Sequence, residues 1–255
     1  MISLLQRRGW TIAVTLLLLG SGLLVSQSHA QLPDKFTNLK VLPKDISKGD
    51  LTTLMRDFSS AMGVRCGFCH VRTDPSPRSE VDWASDSKPE KETARVMMRM
   101  TRLINTEQIP KITTKDPDRV EVKCATCHHG QERPRLIEDV LTQAYKGGGL
   151  DSLKAKYTAL RKEYYGSATY DFSPSMLPGL AERLGGPDKP DLGLQLAQFN
   201  IQLFPESGYA HLSLGQALGT AGQTDAATQE LKKAMELDPE LKENAQWILG
   251  HLQKK

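Results

Sequence analysis

Gly63-Val64-Arg65-Cys66-Gly67-Phe68-Cys69-His70 decides the reading of this chain. The pattern of its last five residues returns as Cys124-Ala125-Thr126-Cys127-His128. Those two Cys-x-x-Cys pairs use all four cysteines of the 255 residues. A histidine directly after each pair makes the signature of covalent c-type haem attachment. The two thiols add to the haem vinyl groups, and the two-residue spacer suits the distance between those groups. The histidine, His70 or His128, then falls under the iron as proximal ligand. A structural zinc site would use paired cysteines without needing histidine beside both pairs. A redox dithiol usually occurs once, beside a βαβ pattern that is missing here. Disulfides need no histidine. With six histidines in the chain, two chance placements at these positions come to roughly one in two thousand. The expectation is two covalently bound haem c groups held by Cys66, Cys69, Cys124 and Cys127.

Working outward, each motif follows a helical pattern that carries methionine. In Asp50 to Met62, Leu51, Leu54, Met55, Phe58 and Met62 share one face, and Gly63 can end the helix. The second pattern starts near Ser87 and Pro89 and runs to Ile104. Met97, Met100 and Ile104 share its face, flanked by Met98 and Thr101. A helical methionine is either a sixth iron ligand or a core residue filling gaps, and spacing alone leaves both open.

Three stretches resemble the haem-binding cytochrome c subunit of photosynthetic reaction centres: NLKVLPKDISKGDLTTLMRDFSSAMGVRCGFCH, ARVMMRMTRLINT and VKCATCHHGQ. The likeness covers roughly residues 37–135. In that family the helix methionine ahead of each motif is usually the sixth ligand. The resemblance therefore implies Met55 for the haem at His70. It implies Met97 for the haem at His128, with Met100 and Met98 as alternatives. Characterised members commonly carry four haems, whereas this chain has attachment sites for two. The gap from Met97 to Cys124 looks longer than is usual in the family, with a polar loop around Lys111 to Asp118. His129, beside His128, reads as an exposed turn residue before Gly130, and His211 and His251 as structural or solvated.

The first thirty residues read as a secretory signal. Arg7 and Arg8 form a basic start, Thr11 to Val25 is almost wholly apolar, and Ser28-His29-Ala30 offers a cleavage site. Cleavage there removes two arginines and no acid, so the formal charge falls from +3 to +1. A surface that close to neutral argues against a nucleic-acid partner. Export to the periplasm or beyond agrees with haem attachment, which takes place in such compartments.

After Arg135 helical periodicity takes over. Leu136 to Tyr145 is a short helix stopped by Gly147-Gly148-Gly149, and Asp151 starts another with Leu153, Tyr157, Leu160 and Tyr164 on its apolar face. Pro205 and Pro239 stand 34 residues apart, with Leu214-Gly215, Leu218, Ala227, Leu231 and Ala234 between them in tetratricopeptide order. His211 takes the usual tryptophan position. The expected architecture is mostly α: a signal peptide at 1–30, a dihaem c-type cytochrome domain at 31–135, and a TPR-like helical repeat at 136–255.

A filled sixth site points to single-electron transfer between redox partners, among them a membrane electron-transfer complex. The repeat then docks a protein partner or a second copy. One rival is a peroxidase-like dihaem enzyme, which needs a displaceable sixth ligand and a distal acid–base residue; the helix methionines speak against it. Another is a self-assembling filament subunit with the haems in a chain.

Overall fold

Ser47 starts the first helix by a reciprocal cap. Its hydroxyl accepts the backbone N–H of Asp50 at 3.1 Å and donates to the Asp50 carboxylate at 2.7 Å. Helix α1 (Lys48–Met62) then runs to Gly63, whose φ of 66° few side chains tolerate. Val64 N–H returns to Ser59 and Gly63 N–H to Ser60, which closes the helix with two of its free carbonyls satisfied. The computed structural model describes residues 32–74, 80–112 and 121–252. The leader expected at 1–30 lies outside these residues, as does most of the polar loop near Lys111.

The described residues form two compact units, one of residues up to 51 with 66–98, the other of 52–65 with residues from 99 onward. In the first unit the Cys66–Phe68 turn leads into β1 (Val71–Arg72), antiparallel to β2 (Val81–Asp82) with Val71 opposite Asp82. Helix α2 (Pro89–Leu103) follows, with Pro89 at a position where its missing N–H costs nothing.

A polar hub pins α2 to this unit. Asp86 accepts from Arg95 at 2.8 Å, Asn38 at 2.8 Å and Lys40 at 2.6 Å. The Arg95 guanidinium, first among these donors, holds the Asp86 carboxyl far below the usual carboxylate range. Arg95 is itself buried and also pairs with Glu92 at 2.9 Å. It lies off the Met97–Met100–Ile104 face of α2, where periodicity expects an exposed polar residue, yet these partners bury it.

The second unit holds the rest of α1, the end of α2, α3 (Cys124–His128), α4 (Ile137–Tyr164), α5 (Met176–Leu184), α6 (Pro190–Leu203), α7 (Gly208–Thr220), α8 (Thr224–Leu237) and α9 (Lys242–Leu252). Helix α4 is two helical segments across a break at Gly148 and Gly149, the latter at φ 69°. From α4 to α9 each helix packs on the next in sequence. Leu141, Leu153, Tyr157, Leu177, Leu180 and Leu196 are fully buried in the largest core, and Leu231, Ala234 and Ala245 in a smaller one. The molecule is thus mostly helical. Among the described residues no helix is long and apolar enough to cross a membrane.

Small residues set the α7–α8 distance. A Cβ at Gly215 would stand 2.7 Å from Leu231 Cγ and 3.2 Å from the Ala227 carbonyl oxygen. Leu231 fills the space the glycine leaves. Leu231→Ala should therefore lower unfolding stability by about 2–5 kcal/mol, as large-to-small changes in tight cores do. Urea denaturation should show this as a lower midpoint with an unchanged slope.

Candidate haem-attachment sites

All four cysteines are free thiols: Cys66 and Cys127 exposed, Cys69 and Cys124 half-buried. Neither pair closes on itself. Among the described residues no three of His, Cys, Asp and Glu converge as a metal set. The four thiols are therefore in the state that thioether formation needs.

At the first motif, Cys66 begins a single tight turn in which His70 N–H bonds back to the Cys66 carbonyl at 3.0 Å. Lys88, just before α2, donates to the carbonyls of Gly67 and, at 3.4 Å, Phe68. Lys91 gathers the carbonyls of Trp83, Ala84 and Ser85 at 2.8–3.0 Å. The loop so held sets Trp83 edge-on against His70, ring centres 5.0 Å apart. His70 Nδ1 is buried with no hydrogen-bond partner. Burial pushes the imidazole pKa down, the nearby Lys91 charge adds to the shift, and the Trp83 backbone opposes it. That favours the neutral ring with an available lone pair, the form that ligates a metal. Burial likewise raises the Cys69 thiol, with Glu90 adding to it, and burial raises Cys124.

At the second motif, the approach and exit are both fastened. Asn105 bonds both ways to Val122, donating at 2.8 Å and accepting at 2.9 Å. The motif's own Thr126 accepts the Lys123 N–H at 2.9 Å, which starts α3. His128 Nδ1 lies 2.7 Å from the Gln131 carbonyl. A carbonyl can only accept, so the neutral ring carries its proton on Nδ1 and keeps the lone pair on Nε2. This is the arrangement of an iron-ligating histidine with its outer hydrogen bond in place.

The methionines are placed less uniformly. Met55 is half-buried on α1, in the second unit, while His70 is in the first. Met97 belongs to the first unit and His128 to the second. Met97 and Met100 are 38% and 46% exposed, and with Val96 and Leu103 they make an exposed apolar stripe along α2. A large apolar face left in solvent at this position suits the flank of a haem. His129 is exposed and left-handed (φ 48°), as a turn residue. His211 is structural: its two ring nitrogens meet the Glu230 carboxylate at 2.6 Å and the Pro205 carbonyl at 2.9 Å. Trp83, Lys88, Lys91, Thr169 and Tyr170 carry no motif, and their roles, like the hydrogen bonds of Gln131, appear only in three dimensions.

The residues therefore fit covalent haem at both motifs. A family model described as photosynthetic reaction centre cytochrome C subunit matches residues 27–146. The photosynthetic reaction center cytochrome c subunit of Rubrivivax gelatinosus is 30% identical over 117 residues, 38% of this chain and 30% of the relative. Cytochrome c-554 of Chloroflexus aurantiacus is 32% identical over 109 residues, 42% of this chain and 24% of the relative. The chain thus spans less than a third of the length of these relatives. No solved structure matches it significantly. Residues 27–146, the stretch with both Cys-x-x-Cys-His motifs, are thus similar to the photosynthetic reaction centre cytochrome C subunit family.

Proposed function

We propose that this chain is an exported dihaem c-type cytochrome that passes single electrons between redox proteins. A bound haem c supplies a one-electron iron couple. The protein's part is to hold it. Cys66 with Cys69, and Cys124 with Cys127, make the covalent links. His70 and His128 are the proximal ligands, with Met55 and Met97 completing the two sites. A thioether ligand raises the potential relative to a second histidine, and a filled sixth position favours electron transfer over substrate chemistry. Residues 31–135 form the haem domain after a leader at 1–30. Residues 136–255 form a TPR-like repeat that docks a protein partner, scaffolds assembly, or meets a second copy. A membrane electron-transfer complex fits as partner, since one relative is named as a reaction-centre subunit.

The observation that carries this reading is His128, with Nδ1 tied to the Gln131 carbonyl and Nε2 left for a metal. The test is the absorption spectrum of the purified exported protein, oxidised and reduced, with a pyridine haemochrome count. Two haems per chain and the weak far-red band of methionine-ligated ferric haem are expected. A high-spin ferric spectrum that shifts with cyanide or peroxide would replace this reading with the peroxidase-like one.

A further inference from the structure

The turn leaving the second motif is strained and held from several sides. His129 is the only described non-glycine residue at positive φ, and Gly130 follows at φ 83°. A left-handed non-glycine residue is strained and persists where its surroundings over-determine it. Here the surroundings are explicit. The Thr169 hydroxyl donates to the His129 carbonyl at 2.8 Å. The Tyr170 hydroxyl donates to Gln131 Oε1 at 2.9 Å. Gly130 N–H donates to the Ala61 carbonyl, in the last turn of α1, at 2.8 Å. Gln131 is the hinge of the arrangement, because its own N–H bonds the His128 carbonyl at 2.8 Å while its carbonyl accepts from His128 Nδ1.

Thr169 and Tyr170 lie in the segment between α4 and α5, outside the family match. Tyr170 is fixed in turn by edge-on rings, Tyr164 at 5.3 Å and Phe172 at 6.2 Å. Phe172 belongs to the main helical core. A continuous set of contacts thus runs from that core to the second iron ligand. It has no counterpart at the first motif, where His70 Nδ1 has no hydrogen-bond partner.

We propose that Thr169 and Tyr170 are positioning residues for the second haem, through which the helical region outside the family match sets the character of the His128 ligand. The inference rests on the dihaem reading above. A firm Nδ1–H bond to a carbonyl makes the imidazole a stronger donor and favours ferric iron. Loosening Gln131 weakens that bond, so the midpoint potential of the second haem should rise.

The experiment is a spectroelectrochemical titration of the full-length loaded protein and its Thr169→Val/Tyr170→Phe variant. Both changes keep shape and remove only the hydroxyls. A haemochrome count on the unaltered protein comes first: fewer than two haems would end the dihaem reading itself. With two haems present, one midpoint should move upward in the variant and the other stay. The Cys66→Ala/Cys69→Ala protein, retaining only the second haem, identifies which moved. Thr169→Ser with Tyr170 intact should keep the original value. Leu231→Ala, which weakens the helical region away from the turn, should leave both midpoints in place. Two unchanged midpoints in the hydroxyl-free variant, or an equal shift with Leu231→Ala, would overturn the proposal.

Discussion

Replacing Cys124 and Cys127 together by alanine should halve the covalently held haem, from two groups per chain to one. The reasoning starts from the thiols. Each pair is free, with one exposed and one half-buried thiol, and neither has a disulfide or metal role among the described residues. Without its two thioethers the second haem would depend on His128 and one methionine, and denaturation would release it. The first motif has its own turn, held by Lys88 and the Trp83 loop within the other compact unit. It should load normally. Haem staining after denaturing electrophoresis, with a haemochrome count, reads the result. The reciprocal Cys66→Ala/Cys69→Ala change should leave the other haem. Loss of both haems in either variant would show that the sites are not independent, and retention of both would refute attachment at the altered pair.

The second large effect is expected at Met55. With Met55 as the proposed sixth ligand, Met55→His should give a bis-histidine site and lower its midpoint steeply, because axial ligation spans about 0.8 V across haem proteins. Met55 is half-buried on a helix fixed at both ends, by the Ser47 cap and the Gly63 closure. The replacement thus enters a rigid element. One of the two midpoints should fall and its far-red band disappear, while the other haem keeps both. An unchanged potential and spectrum would remove Met55 from the ligand set. The same substitution at Met97, and then at Met100, separates the two candidates on α2.

Much of this was visible in the linear chain because local chemistry writes it there. The Cys-x-x-Cys-His spacing is set by the haem itself, Gly63 by the turn it makes, and Gly147–Gly149 by the break in α4. The register of α7 on α8 follows from Gly215 opposite Leu231, small against large. What stayed hidden depends on partners distant in sequence. Arg95 looks like one more exposed cation on α2, yet it is buried because Asp86, Asn38 and Glu92 surround it. Thr169 and Tyr170 sit in a stretch with no periodicity, and only the folded chain brings them to His129 and Gln131. His211 occupies a position usually read as apolar, and two oxygen acceptors explain it.

The backbone contact of α1 with the second motif also bears on the order in which the molecule is made. The Gly130 N–H reaches Ala61, and a Cβ at Gly63 would collide with the Gly130 carbonyl, so the two strands of chain meet without side chains between them. This meeting closes a loop that contains the entire first motif. For about 70 residues the closure entropy is roughly 4 kcal/mol, and contacts of such long range tend to form late. The first motif lies wholly within that loop, so its own turn can form before the closure does. The second acquires its finished exit turn only when the loop shuts. The Gly130 amide is therefore expected among the last to gain protection when the chain refolds, which pulse-labelled hydrogen exchange would read.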